Sequence, residues 1–166
     1  MNDFPEQVNN KVVLVRVDFN VAFEEGRVID DYRMRQTVPT LERLIDEGAK
    51  VVIMSHLGRP LRSEKPKQEF SLECLVDKLE ELLGREVAFT NDCVGPEVKK
   101  EIEAMEKGQV MLLENVRFYE GERSNDSGFA QKLADLADIY VNDAFGVAHR
   151  AHASVEAVTN HLPSHP

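Results

Sequence analysis

Lys11-Val12-Val13-Leu14-Val15-Arg16-Val17 is a β-branched, nearly uninterrupted apolar run that ends on Asp18-Phe19-Asn20, and its reading decides the fold. A strand wet on one face alternates apolar and polar residues, whereas a strand covered on both faces, as in a parallel sheet, reads as a continuous run. Similar runs follow at residues 49–54, 86–90, 109–113 and 138–141. Between them the apolar period changes to three and four residues. Met34, Val38, Leu41 and Ile45 mark a helix that Gly48 stops, and Ser71 caps a second that carries Leu72, Leu75, Val76, Leu79, Leu82 and Leu83 up to Gly84. Gly95 and Pro96 open a third helix to about Lys107, with Val98, Ile102 and Met105 on one face and Gly108 closing it. Residues 126–137 form a fourth, with Phe129, Leu133 and Leu136 inward. Strands alternating with helices of this length imply right-handed crossovers. The expected fold class is α/β, a three-layer αβα sandwich with a mostly parallel, Rossmann-like sheet and helices on both faces. Residues 61–70, charged around Pro66, read as an exposed loop.

The composition fits one such unit, spanning residues 1–166, and narrows what it can do. With 42% apolar and 30% charged residues the chain has enough hydrophobic surface to fold. Its 20 basic against 30 acidic side chains leave a formal charge of −10, which opposes broad binding to nucleic acid or anionic membranes. No apolar run approaches the roughly 20 residues that span a bilayer. The first six residues hold Asp3 and Glu6 in place of a basic region and an apolar run, so no secretory signal is read and a cytoplasmic protein is expected. Cys74 and Cys93 form no CxxC unit and read as reduced, structural thiols.

In open parallel sheets ligands bind beyond the carboxyl ends of the strands. Here those positions are strongly polar: Asp18-Phe19-Asn20, Ser55-His56-Leu57-Gly58-Arg59-Pro60, Asn91-Asp92, Glu114-Asn115-Val116-Arg117-Phe118 and Asn142-Asp143-Ala144-Phe145-Gly146. A further loop reads His149-Arg150-Ala151-His152, and Arg33 stands at the start of the first helix. Arginine presents a planar fork of donors suited to phosphate or carboxylate. Arg33, Arg59, Arg117 and Arg150 therefore make either one pocket for a small anion or four separate surface ion pairs, and the sequence alone leaves these open. No GxGxxG follows the first strand and no GxxxxGK[ST] occurs, so neither common nucleotide signature is present. His149 and His152 lack a third ligand, so no metal site is expected; His161 and His165, flanking Pro163, read as solvated. Asp18 could be a phosphate-accepting nucleophile of the haloacid dehalogenase type, but Asn20 stands where those enzymes need a second aspartate. Orientation of ligand and cations is the favoured role.

Val15-Arg16-Val17-Asp18-Phe19-Asn20-Val21, Ser55-His56-Leu57-Gly58-Arg59-Pro60, Leu112-Leu113-Glu114-Asn115-Val116-Arg117-Phe118 and Val141-Asn142-Asp143-Ala144-Phe145-Gly146, together with Ala148-His149-Arg150-Ala151-His152-Ala153-Ser154, closely resemble phosphoglycerate kinase in order and spacing. The resemblance runs from about Lys11 to Pro163 and corresponds to the N-terminal lobe of a two-lobed enzyme. It implies a transferase of glycolysis and gluconeogenesis that moves a phosphoryl group between 1,3-bisphosphoglycerate and ADP. Asp18, Phe19, Asn20, Arg33, His56, Leu57, Gly58, Arg59, Arg117 and Arg150 are the implied substrate-binding set. Arg33 is the implied catalytic residue, reaching the phosphoryl group in flight, while His56, Arg59, Arg117 and Arg150 would hold the 3-phosphate. MgATP or MgADP would bind a C-terminal lobe of the same polypeptide that this chain does not contain, so no cofactor site is expected in it. The partners expected are 3-phosphoglycerate and that lobe, with no nucleic acid or membrane, in a monomer. The lobe alone should bind substrate weakly without turnover, whether it is a cut-out piece or the ordered part of a longer protein. Ala22 and Val147 replace the family's usual proline and threonine, and neither change touches a charged ligand contact. The alternative is a non-catalytic anion-binding or regulatory module on the same fold.

Overall fold

In a computed structural model, which describes residues 5, 7–24 and 26–165, the chain alternates strands and helices much as its periodicities predict. Asp3 and Glu6, on which the reading of the N-terminus rests, lie outside the described residues. Strand β1 (Val12–Val17) leads through a small hairpin, β2 (Phe23–Glu24) and β3 (Arg27–Val28), into helix α1 (Tyr32–Asp46). There follow β4 (Lys50–Met54), α2 (Val76–Leu83), β5 (Val87–Phe89), α3 (Pro96–Glu103), β6 (Val110–Leu112), α4 (Glu120–Arg123), α5 (Ser127–Ala134), β7 (Ile139–Asp143) and β8 (Ser164–His165). Six strands form one parallel sheet in the order β5-β6-β4-β1-β7-β8, and β2 and β3 pair apart from it.

Because side chains alternate across a strand, β1 feeds two cores. Val13, Val15 and Val17 pack with Met34, Leu41 and Leu44 of α1 and with Leu79 and Leu83 of α2. Leu14 points the other way, to Val98 and Ile102 of α3 and Phe129, Ala130 and Leu133 of α5. These are the three expected layers. Burial of this kind contributes about 1.5 to 3 kcal/mol per large apolar side chain, and it holds the sheet rigid beneath its carboxyl-end loops.

The differences from expectation lie at element ends. Ser71 does cap, accepting from the Glu73 amide, but the turn it starts is a 3₁₀ turn, Leu72–Leu75, before α2 proper. Helix α3 closes at Glu103 and α5 at Ala134, yet Met105 and Leu136 remain buried, so the apolar spacing runs one turn past the helical hydrogen bonds. The 61–70 loop contains two 3₁₀ turns, Pro60–Arg62 and Lys67–Phe70. His161 and His165 are not simply solvated. Ser127 Oγ lies 3.2 Å from His161 Nε2, and His165 sits in β8, paired with Val141. Pro163 ends no structure there because its carbonyl still accepts from the Tyr140 amide at 2.9 Å.

Candidate functional site

Strands β6, β4, β1 and β7 are neighbours, so the loops that leave their carboxyl ends meet above the middle of the sheet. There they enclose a cavity of about 210 Å³ lined by Asp18, Asn20, Arg33, His56, Gly58, Arg59, Arg117, Gly146, Val147 and Arg150. A smaller recess of about 140 Å³ shares Arg59, Arg117 and Arg150 and adds Arg62, Arg123 and His152. The structure thus brings together eight of the ten residues proposed from sequence. Phe19 and Leu57 stand behind the wall: the Phe19 ring is fully buried and its amide donates to Ser55 Oγ, while the Leu57 carbonyl accepts from Asn115 Nδ2. Nor do all strand ends converge. Asp92, after β5, accepts from the Tyr119 hydroxyl, and Glu114 is used up on Ser71 Oγ, Leu72 N and Asn115 N.

Asp18, Asn20 and Arg33 are held by local interactions. Asp18 Oδ1 accepts from the Asn20 amide at 3.2 Å, and Oδ2 accepts from Arg33 NH1 at 2.8 Å. With both oxygens engaged, Asp18 orients Arg33, which agrees with the orienting role and not with a free nucleophile. Asn20 Oδ1 in turn accepts from the Gly58 amide at 2.9 Å, which ties the loop after β1 to the loop after β4. Gly58 has φ +60°, and a Cβ there would lie 2.7 Å from the Phe70 ring, so glycine is required at that bend. At Gly146 the constraint is space alone, since a Cβ would stand 2.3 Å from Asp18 Oδ2.

Of the two readings that the sequence left open, separate ion pairs describe Arg33 alone. Among the described residues Arg33 pairs with Asp18, but no carboxylate lies within 4.0 Å of the charged nitrogens of Arg59, Arg117 or Arg150. Arg117 is 5% exposed, donates from NH1 to the Gly58 carbonyl at 2.7 Å, and keeps a buried Nε with no partner. Burial and then the charges of Arg150 and Arg16 lower its pKa to about 10. A guanidinium in that state remains charged at neutral pH and is short of an anion. His56, 2% exposed, is pushed to about 2 by burial and by the neighbouring charges of Arg16, Arg117, Arg150 and His152, so it is a neutral imidazole. The two thiols lie away from this chemistry. Cys93 is buried and donates to the Glu114 carbonyl, and burial raises both thiols, Cys74 to about 11.

Two contributors escaped the sequence reading. Asn115 donates from Nδ2 to the carbonyls of Leu57 and Phe70, both at 2.8 Å, and accepts the Arg117 amide at 3.0 Å; one side chain fixes the whole arginine-bearing turn. Arg16, in the middle of an apolar strand, is wholly buried and reaches His56. Its charge inside a valine run, in a segment that carries the family resemblance, is the signal that points to it. Among the described residues no helix is long and apolar enough to cross a membrane.

Comparison with known proteins gives a consistent picture. The family model described as phosphoglycerate kinase matches residues 1–165. The chain is 58% identical over 158 residues to the phosphoglycerate kinase of Moorella thermoacetica, an alignment covering 95% of this chain and 40% of that protein. For the phosphoglycerate kinase of Dictyoglomus turgidum the identity is 52%, covering 95% and 39%. Among solved structures, phosphoglycerate kinase from Coxiella burnetii superposes with a TM-score of 0.83 at 39% identity, covering 95% of this chain and 38% of that one. The enzyme from Pyrococcus horikoshii superposes at 0.86 with 34% identity, covering 99% and 41%. The chain spans about two fifths of the length of the curated relatives that it matches.

Proposed function

Because this chain belongs to the phosphoglycerate kinase family, we propose that its cleft binds 3-phosphoglycerate and 1,3-bisphosphoglycerate for phosphoryl transfer to and from a nucleotide. The observation that carries this reading is the set of cations Arg59, Arg117 and Arg150 on one cavity, none with a carboxylate partner within 4.0 Å among the described residues. A phosphate there supplies the missing counter-charge, each charge-assisted hydrogen bond contributing about 1.5 to 3 kcal/mol. His56, being neutral, adds a ring N–H without a further positive charge to offset.

The other end of the cavity suits the carboxyl end of the substrate. The Arg33 side chain is 52% exposed and is steered by Asp18, so it stands at the mouth, where an acyl phosphate would meet an incoming nucleotide. Its charge stabilises the phosphoryl oxygens during in-line transfer, a reaction that depends on placement and electrostatics far more than on acid or base chemistry. Asn20, bound to Gly58, and Asp18 fix the glycerate backbone between the two ends. Magnesium nucleotide is supplied, in this reading, from a C-terminal lobe that follows these residues in the polypeptide, and the protein works as a cytoplasmic monomer.

Calorimetric titration tests the assignment. The 166-residue chain binds 3-phosphoglycerate at millimolar affinity or better, binds glycerate without its phosphate much more weakly, and loses binding in Arg59→Ala and Arg150→Ala. Equal affinity for the two ligands, or for wild type and both variants, overturns it. Incubated with MgATP and 3-phosphoglycerate, the chain alone produces no sustained ADP.

A further inference from the structure

Arg16 is a fully buried cation on the second face of β1, and each of its three nitrogens is engaged. Nε donates to Ser154 Oγ at 2.8 Å, NH1 donates to the Val17 carbonyl, and NH2 lies 3.0 Å from His56 Nδ1. Ser154 is pinned from behind. Its hydroxyl donates to Glu122 Oε1 at 2.6 Å, its amide donates to Glu122 Oε2 at 2.9 Å, and its carbonyl accepts from the Tyr140 hydroxyl at 2.9 Å. Glu122 and Ser154 have no exposed surface, so this chain of contacts is closed to water behind His56. It joins α4, the loop after β7, β1 and β4 into one relay that ends on an imidazole in the cavity wall.

The chemistry of the last link is one-way. A guanidinium has only donors, so His56 Nδ1 has to accept, and the proton of a neutral ring then resides on Nε2. No protein group is bonded to Nε2 among the described residues, and it is the ring nitrogen left for a ligand in the cavity. We propose that Arg16, backed by Ser154 and Glu122, is a positioning residue that locks His56 as the Nε2–H tautomer, so that the ring meets an anion as a hydrogen-bond donor and never as an acceptor. The tautomer is a property of the free protein; its use on a phosphate rests on the function proposed above. The charged and titratable groups around the ring are Arg16 from β1, Arg117 from the turn after β6, and Arg150 and His152 from the loop after β7. The three guanidiniums only donate, and Nδ1 is already taken by Arg16 NH2, so none of these groups draws the His56 proton to Nδ1.

Nitrogen-15 spectra of the histidine rings test the lock in the ligand-free chain, with His56 assigned by its loss in His56→Gln. Wild type shows Nδ1 as a lone-pair nitrogen and Nε2 as a protonated one. Replacing both buried charges together, in Arg16→Met with Glu122→Gln, averages the two nitrogens towards tautomer exchange and weakens 3-phosphoglycerate binding about tenfold, the loss of one good hydrogen bond to a charged group. Ser154→Ala moves both readouts in the same direction by less, and it decides the matter if the double variant does not fold. A proton on Nδ1 in wild type overturns the proposal, as do ring signals unchanged in the variants. If wild type shows the stated tautomer yet binds neither 3-phosphoglycerate nor inorganic phosphate, the lock stands and the substrate reading falls.

Discussion

Towards α1 and α2, β1 presents Val13, Val15 and Val17, and the packing stays apolar up to Phe19 at the rim. Towards α3 and α5 it presents Leu14 and then Arg16, beside a buried cluster of Glu122, Ser154, His56 and Tyr140. Both faces are equally closed to water, but they do different work. Apolar contacts are non-directional, so the first face can lose a methyl group without telling the cleft. Charged hydrogen bonds are directional and costly to leave unmade, so damage to the second face is transmitted to the ligand side chains.

The largest effect should come from breaking the second face. Glu122→Ala strands Arg16 without its counter-charge and is expected to cost about 3 to 5 kcal/mol in urea unfolding, with loss of 3-phosphoglycerate affinity in whatever remains folded. Leu41→Ala, on the first face, should cost about 2 to 5 kcal/mol through its cavity and leave affinity within twofold. Similar stability losses with opposite effects on binding would sharpen the contrast, and a matching loss of affinity in Leu41→Ala would break it.

A smaller effect is expected from pH. Folded His56 takes up no second ring proton above about 2, whereas in the unfolded chain it titrates near 6.5. Between those values the unfolded state binds the extra proton, so stability is complete above pH 6.5 and falls as the pH drops, by about 1.4 kcal/mol per unit for this one group. His152, lowered first by burial, acts in the same sense. Urea midpoints at neutral pH and near pH 5 measure the slope, which should flatten in His56→Gln; an unchanged slope would mean that the ring is already charged in the fold.

The smallest effect probes the same helix layer away from the relay. Asp126 caps α5 by accepting the Phe129 amide at 2.7 Å. Asp126→Ala should cost about 1 kcal/mol and leave 3-phosphoglycerate titrations unchanged, placing the sensitivity of this face in the buried charges and not in the helices that cover it.

Much of this organisation is legible in the residues. Continuous apolar runs against three-and-four periodicities separate strands from helices, and Gly48, Gly84 and Gly108, all with positive φ, fall where the chain must turn. The short elements are another matter. β2, β3 and β8 are two residues each, and α4 is four, too few to display a period. Helix ends are not legible where an apolar residue such as Met105 or Leu136 is buried by the tertiary fold after the helix has ended.

The sequence by itself determined the alternation of the layers and the polar loops at the strand ends, because period, capping residues and turn residues act over a few neighbours. Which of those loops would meet was a tertiary matter. Strand order puts β6, β4, β1 and β7 side by side and leaves β5 at the edge, so Arg59, Arg117 and Arg150 share a cavity while Asp92 does not. The same holds for Arg16, whose charge is tolerable only because Ser154, 138 positions away, and His56, 40 positions away, arrive at its donors. Local physics cannot state the partner of a buried charge, since that partner is delivered by packing.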